Sequence, residues 1–295
     1  MNKVSVYGGL GNQMFQYALS CVLNSKGVAS RISFRDFFFY KHHNGFDLSR
    51  AFYLDLDAFG RLKLHVLNFG SAFWSLSIVQ KILFKSFQLY SFLFENIKKE
   101  KKEFSFDEEI FNVSNSRLVG TWQSIKYFEG HEELLRDKFK FKDPLDSINK
   151  NLSEEIKNNN SVAVHIRRGD YTKSEWRNSH LVIDGPEYYL NAIRELTLEL
   201  SNPVFYFFSD DIDWAKSNFK DSNFKFIEHN NNDKSYLDMY LMSLCSNFII
   251  ANSTFSWWAA WLASNPKKIV FVPKPWIKGL NTPEIYPDNW RTVKL

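Results

Sequence analysis

The sequence predicts an α/β protein of two domains, each built around a parallel sheet. Three observations carry this. Short apolar runs alternate with helical stretches from Ser161 to Val272, the chain opens on another strand-turn-helix pattern at Val4, and 295 residues are ample for two medium cores. A composition shift from Asp143 to Asn160, with Pro144 and the run Asn158 to Asn160, is the best linker candidate, so domains are expected at 1–150 and 151–295.

The first element is a short buried strand from Val4 to Tyr7. Gly8 to Gly11 form a tight turn, and from Asn12 a helix follows with Phe15, Leu19, Val22 and Leu23 as its core stripe. The turn sits in GGLGNQMFQYA. A dinucleotide loop would place glycines at its first, third and sixth positions; Gly9 and Gly11 fit, but Met14 stands where the last belongs, and Asp36 falls 25 residues after Gly11 where about 20 is expected. Asn12 and Gln13 offer a different use, two amides at a helix N-terminus that suit a ligand rich in hydroxyls. The plainer reading, which the segment by itself favours, is that Asn12 caps the helix.

Residues 36–117 read as irregular and largely helical. Within them 66–95 are apolar, charged only at Lys81, Lys85 and Glu95; the longest uncharged run, Val66 to Gln80, has 15 residues, short of the roughly 20 a spanning helix needs. Buried helices are favoured over a segment lying on a membrane surface. GTWQSIKYFEGHEELLRDKF, from Gly120, begins as a strand-end turn and runs into a helix. Past the linker come strand Ser161 to Ile166, helix Pro186 to Leu200, strand Val204 to Ser209, helix Trp214 to Phe219 and strand Phe224 to Ile227. Helix Ser235 to Ser246, strand Asn247 to Ala251, helix Phe255 to Ser264 and strand Lys268 to Val272 complete the series.

Composition narrows the function. Hydrophobic residues at 44% and charged residues at 24% are ordinary for a globular chain and exclude disorder. The net charge of +4 is mild, and the one basic run, KKEKKE at Lys98 to Glu103, is diluted by its own glutamates, so a nucleic-acid partner is not expected. Cys21 and Cys245 lack CxxC partners and read as buried free thiols in a reducing compartment. No signal peptide is expected ahead of the first strand, which points to a cytoplasmic protein.

Ligands of parallel sheets bind at the carboxyl ends of strands, and three stretches lie there. VAVHIRRGDY ends a strand in His165, Arg167, Arg168 and Asp170; adjacent arginines repel unless an anion or a carboxylate meets them, and their forks fit phosphate oxygens. An Arg168–Asp170 pair in a surface loop would explain one of the two. FYFFSDDIDW delivers Asp210, Asp211 and Asp213: Asp211 and Asp213 spell a DxD that could hold a metal, Asp210 or Asp211 could accept from a base edge, and Asp213 could cap the next helix. FIIANSTFSWWAAWLASNP places Asn252, Ser253 and Thr254 at a helix start, an anion site without glycines, with Trp257, Trp258 and Trp261 read as core.

Taken as a set and in this order, GGLGNQMFQYA, GTWQSIKYF, HIRRGDY, SDD and NSTFSWWAAWL resemble the bacterial α-1,2-fucosyltransferases, glycosyltransferase family 11. The resemblance implies a GT-B-like fold of two facing domains, GDP-fucose as donor, a β-galactoside acceptor that lipid-linked glycans could present, inversion at the anomeric carbon, a setting such as O-antigen biosynthesis, and no metal cofactor. It assigns donor binding to His165, Arg167, Arg168, Asp210, Asp211, Asn252, Ser253, Thr254 and Ser256. Arg167 and Arg168 would neutralise the pyrophosphate, with Asp170 as the base. The acceptor cleft would draw on Gly9, Gly11, Asn12, Gln13, Trp122 and Gln123. Glu175 and His180 are alternative bases, Asp213 keeps metal use open, and peripheral contact with the inner face of the bacterial membrane is compatible with such an acceptor. A nicotinamide oxidoreductase, a silent glycan-binding protein and a metal-dependent transferase are the competing readings.

Overall fold

The computed structural model describes residues 1–34, 37, 45–56, 95–142, 146–169 and 183–295. They fall into two compact units, Met1–Ser49 with Tyr53–Lys138, and Arg50–Phe52 with Phe139–Leu295. Each holds one parallel sheet.

In the first unit β1 (Asn2–Ser5), β2 (Ser30–Ser33), β3 (Asn96–Lys99) and β4 (Ser116–Val119) lie in the order β2-β1-β4-β3. Val4 stands opposite Ile32 on one side and Leu118 on the other. Helix α1 (Leu10–Ser25) joins β1 to β2 and buries Phe15, Leu19, Val22 and Leu23, the stripe its periodicity predicts. Its start departs from expectation. Gly9 is the N-cap, with no side-chain cap bond, and Asn12 lies inside the first turn. The turn before it needs glycine: Gly8 has φ +83°, and a Cβ there would stand 2.8 Å from Asn12 Nδ2.

Strand β3 and the first half of β4 fall in the stretch 36–117 that read as irregular and helical, while the end of β4 meets the strand-end turn read at Gly120. Each is four residues long, and β3, an edge strand reading NIKK, has a single apolar residue, so periodicity gave no strand signal. In β4 the charged Arg117 is buried, its Nε donating to Ser5 Oγ at 2.8 Å. Helix α2 (Glu132–Lys138) closes the unit.

The second unit carries β5 (Ser161–Ile166), β6 (Val204–Ser209), β7 (Phe224–Ile227), β8 (Asn247–Ile249), β9 (Val270–Lys274) and β10 (Arg291–Lys294), in the order β10-β9-β8-β5-β6-β7. Its helices are α3 (Ser147–Asn158), α4 (Glu187–Glu199), α5 (Ile212–Asn218), α6 (Ser235–Ser243) and α7 (Thr254–Leu262). Every residue of β5 is buried, as a strand flanked on both sides requires. Its Val162, Val164 and Ile166 pack with Phe205, Phe207, Tyr188, Tyr189 and Ile193 in one core. The three tryptophans of α7 are core as read, with Trp258 5.0 Å from Phe139 between ring centroids.

Several boundaries move. Helix α5 starts at Ile212, not Trp214, because Asp211 caps it by accepting from the Trp214 N–H; the cap expected of Asp213 is not made. Strand β9 runs to Lys274, and β10 had no counterpart in the sequence reading. Helix α3, placed within the linker 143–160, is capped by Asp146 and belongs to the second unit. Asp143 to Leu145 lie outside the described residues, as do Asp36 and the apolar stretch up to Phe94. Among the described residues no helix is long and apolar enough to cross a membrane.

A buried polar network ties α3, α6 and the turn after β7. Asn149 Nδ2 donates to Asn230 Oδ1 and Asn230 Nδ2 to Asn149 Oδ1, both at 2.9 Å, and Asn230 Nδ2 also donates to Asp238 Oδ1 at 2.9 Å. Burial drives the Asp238 carboxyl from 3.8 up to about 7, against the smaller opposing effect of the Asn230 amide. A carboxyl whose folded pKa is raised costs nothing below its unfolded pKa, and its penalty grows until the pH passes the folded value. Asp238→Asn, which keeps the accepting oxygen, should therefore match the wild type in thermal midpoint near pH 4 and exceed it by pH 8, by an amount worth a few kcal/mol; parallel pH curves would refute the ionisation penalty.

Candidate active site

Strand β5 sends His165 into the core and then releases Arg167, Arg168 and Gly169 at its carboxyl end. Strand β6 runs beside it with Ile166 opposite Ser209, so Asp210 and Asp211 leave the sheet alongside the arginines. The pairing is one to one. Arg167 Nη1 meets Asp210 Oδ2 at 2.8 Å, and Arg168 Nε meets Asp211 Oδ2 at 3.2 Å. Asp210 Oδ1 also accepts from the Arg168 backbone N–H at 2.8 Å, and Asp211 Oδ1 from the Trp214 N–H at 3.3 Å. Arg168 further donates from Nη1 to the Asp184 carbonyl at 3.2 Å and lies over the Trp214 ring, 4.2 Å from its centroid. The repulsion between adjacent arginines is thus answered by carboxylates from the neighbouring strand. Asp210 and Asp211, read as acceptors for a base edge, with Asp211 also half of the Asp211–Asp213 DxD that could hold a metal, have their oxygens engaged in this lattice.

On the other flank of β5, strand β8 leads through Asn252 into α7. Asn252 Nδ2 donates to the Trp276 carbonyl at 3.1 Å and Ser256 Oγ to the Ser253 carbonyl at 3.2 Å, so both serve the turn itself. Ser253 is the N-cap and its side chain makes no cap bond, while Thr254 opens the helix. His165 faces Phe255 with ring centroids 5.9 Å apart, and its buried Nδ1 has no hydrogen-bond partner among the described residues. Burial first, and Arg167 second, push its pKa down to about 3, so the imidazole is neutral. The buried Tyr189 hydroxyl also lacks a hydrogen-bond partner among the described residues; desolvation, then the charge of Asp210, raises its pKa.

This brings His165, Arg167, Arg168, Asp210, Asp211, Asn252, Ser253, Thr254 and Ser256 to three adjacent strand ends, β6, β5 and β8. Forked cations beside a helix N-terminus suit an oxygen-rich anion. Asp170, Glu175 and His180 lie outside the described residues. Among the described residues no three His, Cys, Asp or Glu side chains converge to hold a metal.

In the first unit the ends of β1 and β4 bring the other residues together. Gln123 Nε2 donates to Asn12 Oδ1 at 3.0 Å, and Gln16 Nε2 reaches the Gly120 carbonyl at 3.2 Å. Gly9 and Asn12 are half-exposed, while Gly11 and Gln123 are buried. Gln13 corrects its sequence reading as a ligand amide. It is buried, its Nε2 donating to the Gly8 and Gly45 carbonyls at 2.8 Å each and its Oε1 accepting from the Asp47 and Leu48 N–H groups at 3.0 and 3.2 Å. Trp122, expected in a cleft, is fully buried, with φ 57° and an Nε1 that has no hydrogen-bond partner among the described residues.

The model of glycosyl transferase family 11 matches residues 1–294. The chain belongs to glycosyltransferase family 11. It is 35% identical to an α-1,2-colitosyltransferase of Escherichia coli over 97% of each chain. It is 31% identical to the O-antigen biosynthesis glycosyltransferase WbnK of Escherichia coli, over 96% of this chain and 97% of that one. Among solved structures, the NodZ α-1,6-fucosyltransferase co-crystallised with GDP aligns over 92% of this chain and 94% of its own at 18% identity, with a TM-score of 0.51. The architecture is the α/β, GT-B-like one that the family resemblance implies.

Two parts of this family 11 site escaped the sequence reading. Trp214, directly after the aspartates, is the platform for Arg168, and its place in DDIDW was the available signal. Gly169 is small for a reason: a Cβ there would stand 2.8 Å from Asp210 Oδ2. For Gln13 the structure predicts a stability role. Gln13→Ala would strand the buried Gly8 carbonyl, the half-buried Gly45 carbonyl and two buried N–H groups, costing about 3 kcal/mol or more, which chemical denaturation would register as a lower midpoint; an unchanged midpoint would refute it.

Proposed function

We propose that the protein transfers L-fucose from GDP-β-L-fucose to the 2-hydroxyl of a terminal β-galactoside with inversion, forming an α-1,2 linkage. The observation that carries this reading is the pair Arg167 and Arg168, each oriented by its own aspartate, beside the Ser253–Thr254 helix start. Such an arrangement fits the departing pyrophosphate of a nucleoside diphosphate sugar. The acceptor hydroxyl attacks the anomeric carbon opposite the leaving group, the bond to the β-phosphate oxygen breaks with its electrons on that oxygen, and the hydroxyl proton passes to a base. Preorganised cations where the charge develops contribute rate without reorganisation. Asp210 and Asp211 act through the arginines, by fixing their forks. Asp170 is the proposed base, and Gly9, Asn12 and Gln123 belong to the acceptor side. An acceptor on a lipid-linked glycan would bring the enzyme to the inner face of the membrane.

The similarity to an α-1,2-colitosyltransferase favours a second donor sugar, colitose, the 3-deoxy counterpart of L-fucose, carried on the same nucleotide in this proposal. A site that hydrogen-bonds the 3-hydroxyl rejects the deoxy sugar by about 10⁴-fold, whereas one that leaves it unbound accepts both. The enzyme should be given both donors in competition over a panel of β-galactosides, and the product linkage mapped. Fucosyl transfer to the 2-hydroxyl is expected; predominant colitosyl product would reassign the donor. The same assay in excess EDTA should run at an undiminished rate, because the arginines rather than a metal neutralise the leaving group. Activity lost to EDTA and restored by Mn²⁺ would make Asp211 and Asp213 ligands instead.

Asp170→Asn keeps the shape of the side chain but cannot take the proton. It should bind GDP as the wild type does and lose transfer by on the order of 10²-fold or more; normal transfer, with Glu175→Gln or His180→Ala inactive, would move the base into the following loop.

A further inference from the structure

We infer that Glu100 is a positioning residue for the acceptor side of the reaction, holding the turn after β4 in the strained form that sets Gln123 against Asn12. The inference rests on the proposed function for the word acceptor, and on geometry for the rest. Glu100 directly follows β3, the edge strand of the first sheet, and its carboxylate reaches across to the turn leaving β4. Oε2 accepts from the Thr121 N–H at 2.7 Å and from Thr121 Oγ1 at 3.2 Å, and Oε1 accepts from the Trp122 N–H at 3.2 Å. One carboxylate therefore closes the donors of two consecutive residues. The second of them, Trp122, is left-handed at φ 57°.

A bulky residue at positive φ is costly and persists only where its surroundings over-determine it. Here the surroundings are identifiable. Glu100 holds the N–H groups of the two peptides that flank Thr121, up to the N–H of Trp122 itself, and the Trp122 ring is locked by burial against Tyr127, 6.0 Å between centroids. Gly120 admits the carboxylate, since a Cβ there would stand 2.5 Å from Glu100 Cβ. The chain emerges from the strained residue at Gln123, whose amide meets Asn12 Oδ1 at 3.0 Å. Asn12 sits in the first turn of α1, beside the half-exposed Gly9. The ends of β1, β4 and β3 are thus coupled in series at the sheet edge where ligands of parallel sheets bind. Glu100 lies within KKEKKE, whose charge pattern gave no sign of an inward-facing carboxylate; desolvation raises its pKa, against the three hydrogen bonds it accepts. The ligand class that suits the coupled amides is a polyhydroxylated acceptor sugar, for which paired donor and acceptor groups at fixed spacing matter more than charge.

The test is E100Q, which turns one accepting oxygen into a donor facing an N–H, with Thr121→Val as the milder variant that removes a single bond. Amide hydrogen exchange at Thr121 to Gln123 and steady-state kinetics in both substrates should be read on the full-length protein. Faster exchange in the turn is expected, with kcat/KM for the acceptor lowered about 10-fold or more and the Kd for GDP within twofold of wild type. Thr121→Val should move the same quantities the same way by less, and E100Q combined with Gln123→Ala should cost little more than either alone. Unchanged exchange in both variants, equal loss toward donor and acceptor, or additive effects with Gln123→Ala would overturn the inference. A wild type that transfers from no GDP-sugar would instead defeat the proposed function, while the exchange result would still decide whether Glu100 holds the turn.

Discussion

Two guanidinium groups on consecutive residues must be kept side by side at the end of a strand, and much of the second unit is arranged around that constraint. At an effective dielectric of about 20, unit charges about 7 Å apart repel by roughly 2 kcal/mol, enough to splay two flexible side chains apart. The parallel register of β5 and β6 supplies the remedy, since it brings one carboxylate to each arginine without a long loop having to be ordered. Asp211 caps α5 with its other oxygen, so the helix start and the Arg168 fork are fixed by one side chain.

The first unit meets a different demand, that of closing tight turns at strand ends without leaving backbone groups unpaired. It does so with side chains that hydrogen-bond like backbone. The Gln13 amide substitutes for a strand partner across Gly8, Gly45, Asp47 and Leu48, and the Glu100 carboxylate does the same for Thr121 and Trp122. Polar residues that a reader of sequence would assign to ligand or solvent are therefore structural, and what they leave exposed is the half-open Gly9 and Asn12 surface.

That difference explains what was legible. Strands β5 and β6 are uninterrupted apolar runs flanked by charge, so their boundaries and the arginine and aspartate positions could be read directly. Asp211 rather than Asp213 as the cap could not, because both spell a cap and only the register of β6 chooses between them. Strands β3 and β10, reading NIKK and RTVK, were invisible because neither carries an apolar run, while of β4 only its end was legible, as the turn at Gly120. Asn12 read as a cap because it is polar at a helix start; Gly9 took that place because the turn at Gly8 brings the helix in earlier. The burial of Gln13 and Glu100 depends on contacts between segments far apart in the chain, which no local pattern encodes.

Gly169 bears on how such a site can drift over generations. Any other residue there would drive its first carbon into the Asp210 carboxylate, and relief by moving Asp210 would release Arg167 and the Arg168 backbone together. Four positions just past the ends of two strands are thereby coupled, so that a substitution at one disturbs the contacts of the others. Heritable change is cheapest at residues that do not touch the quartet, where its effects stay independent of it.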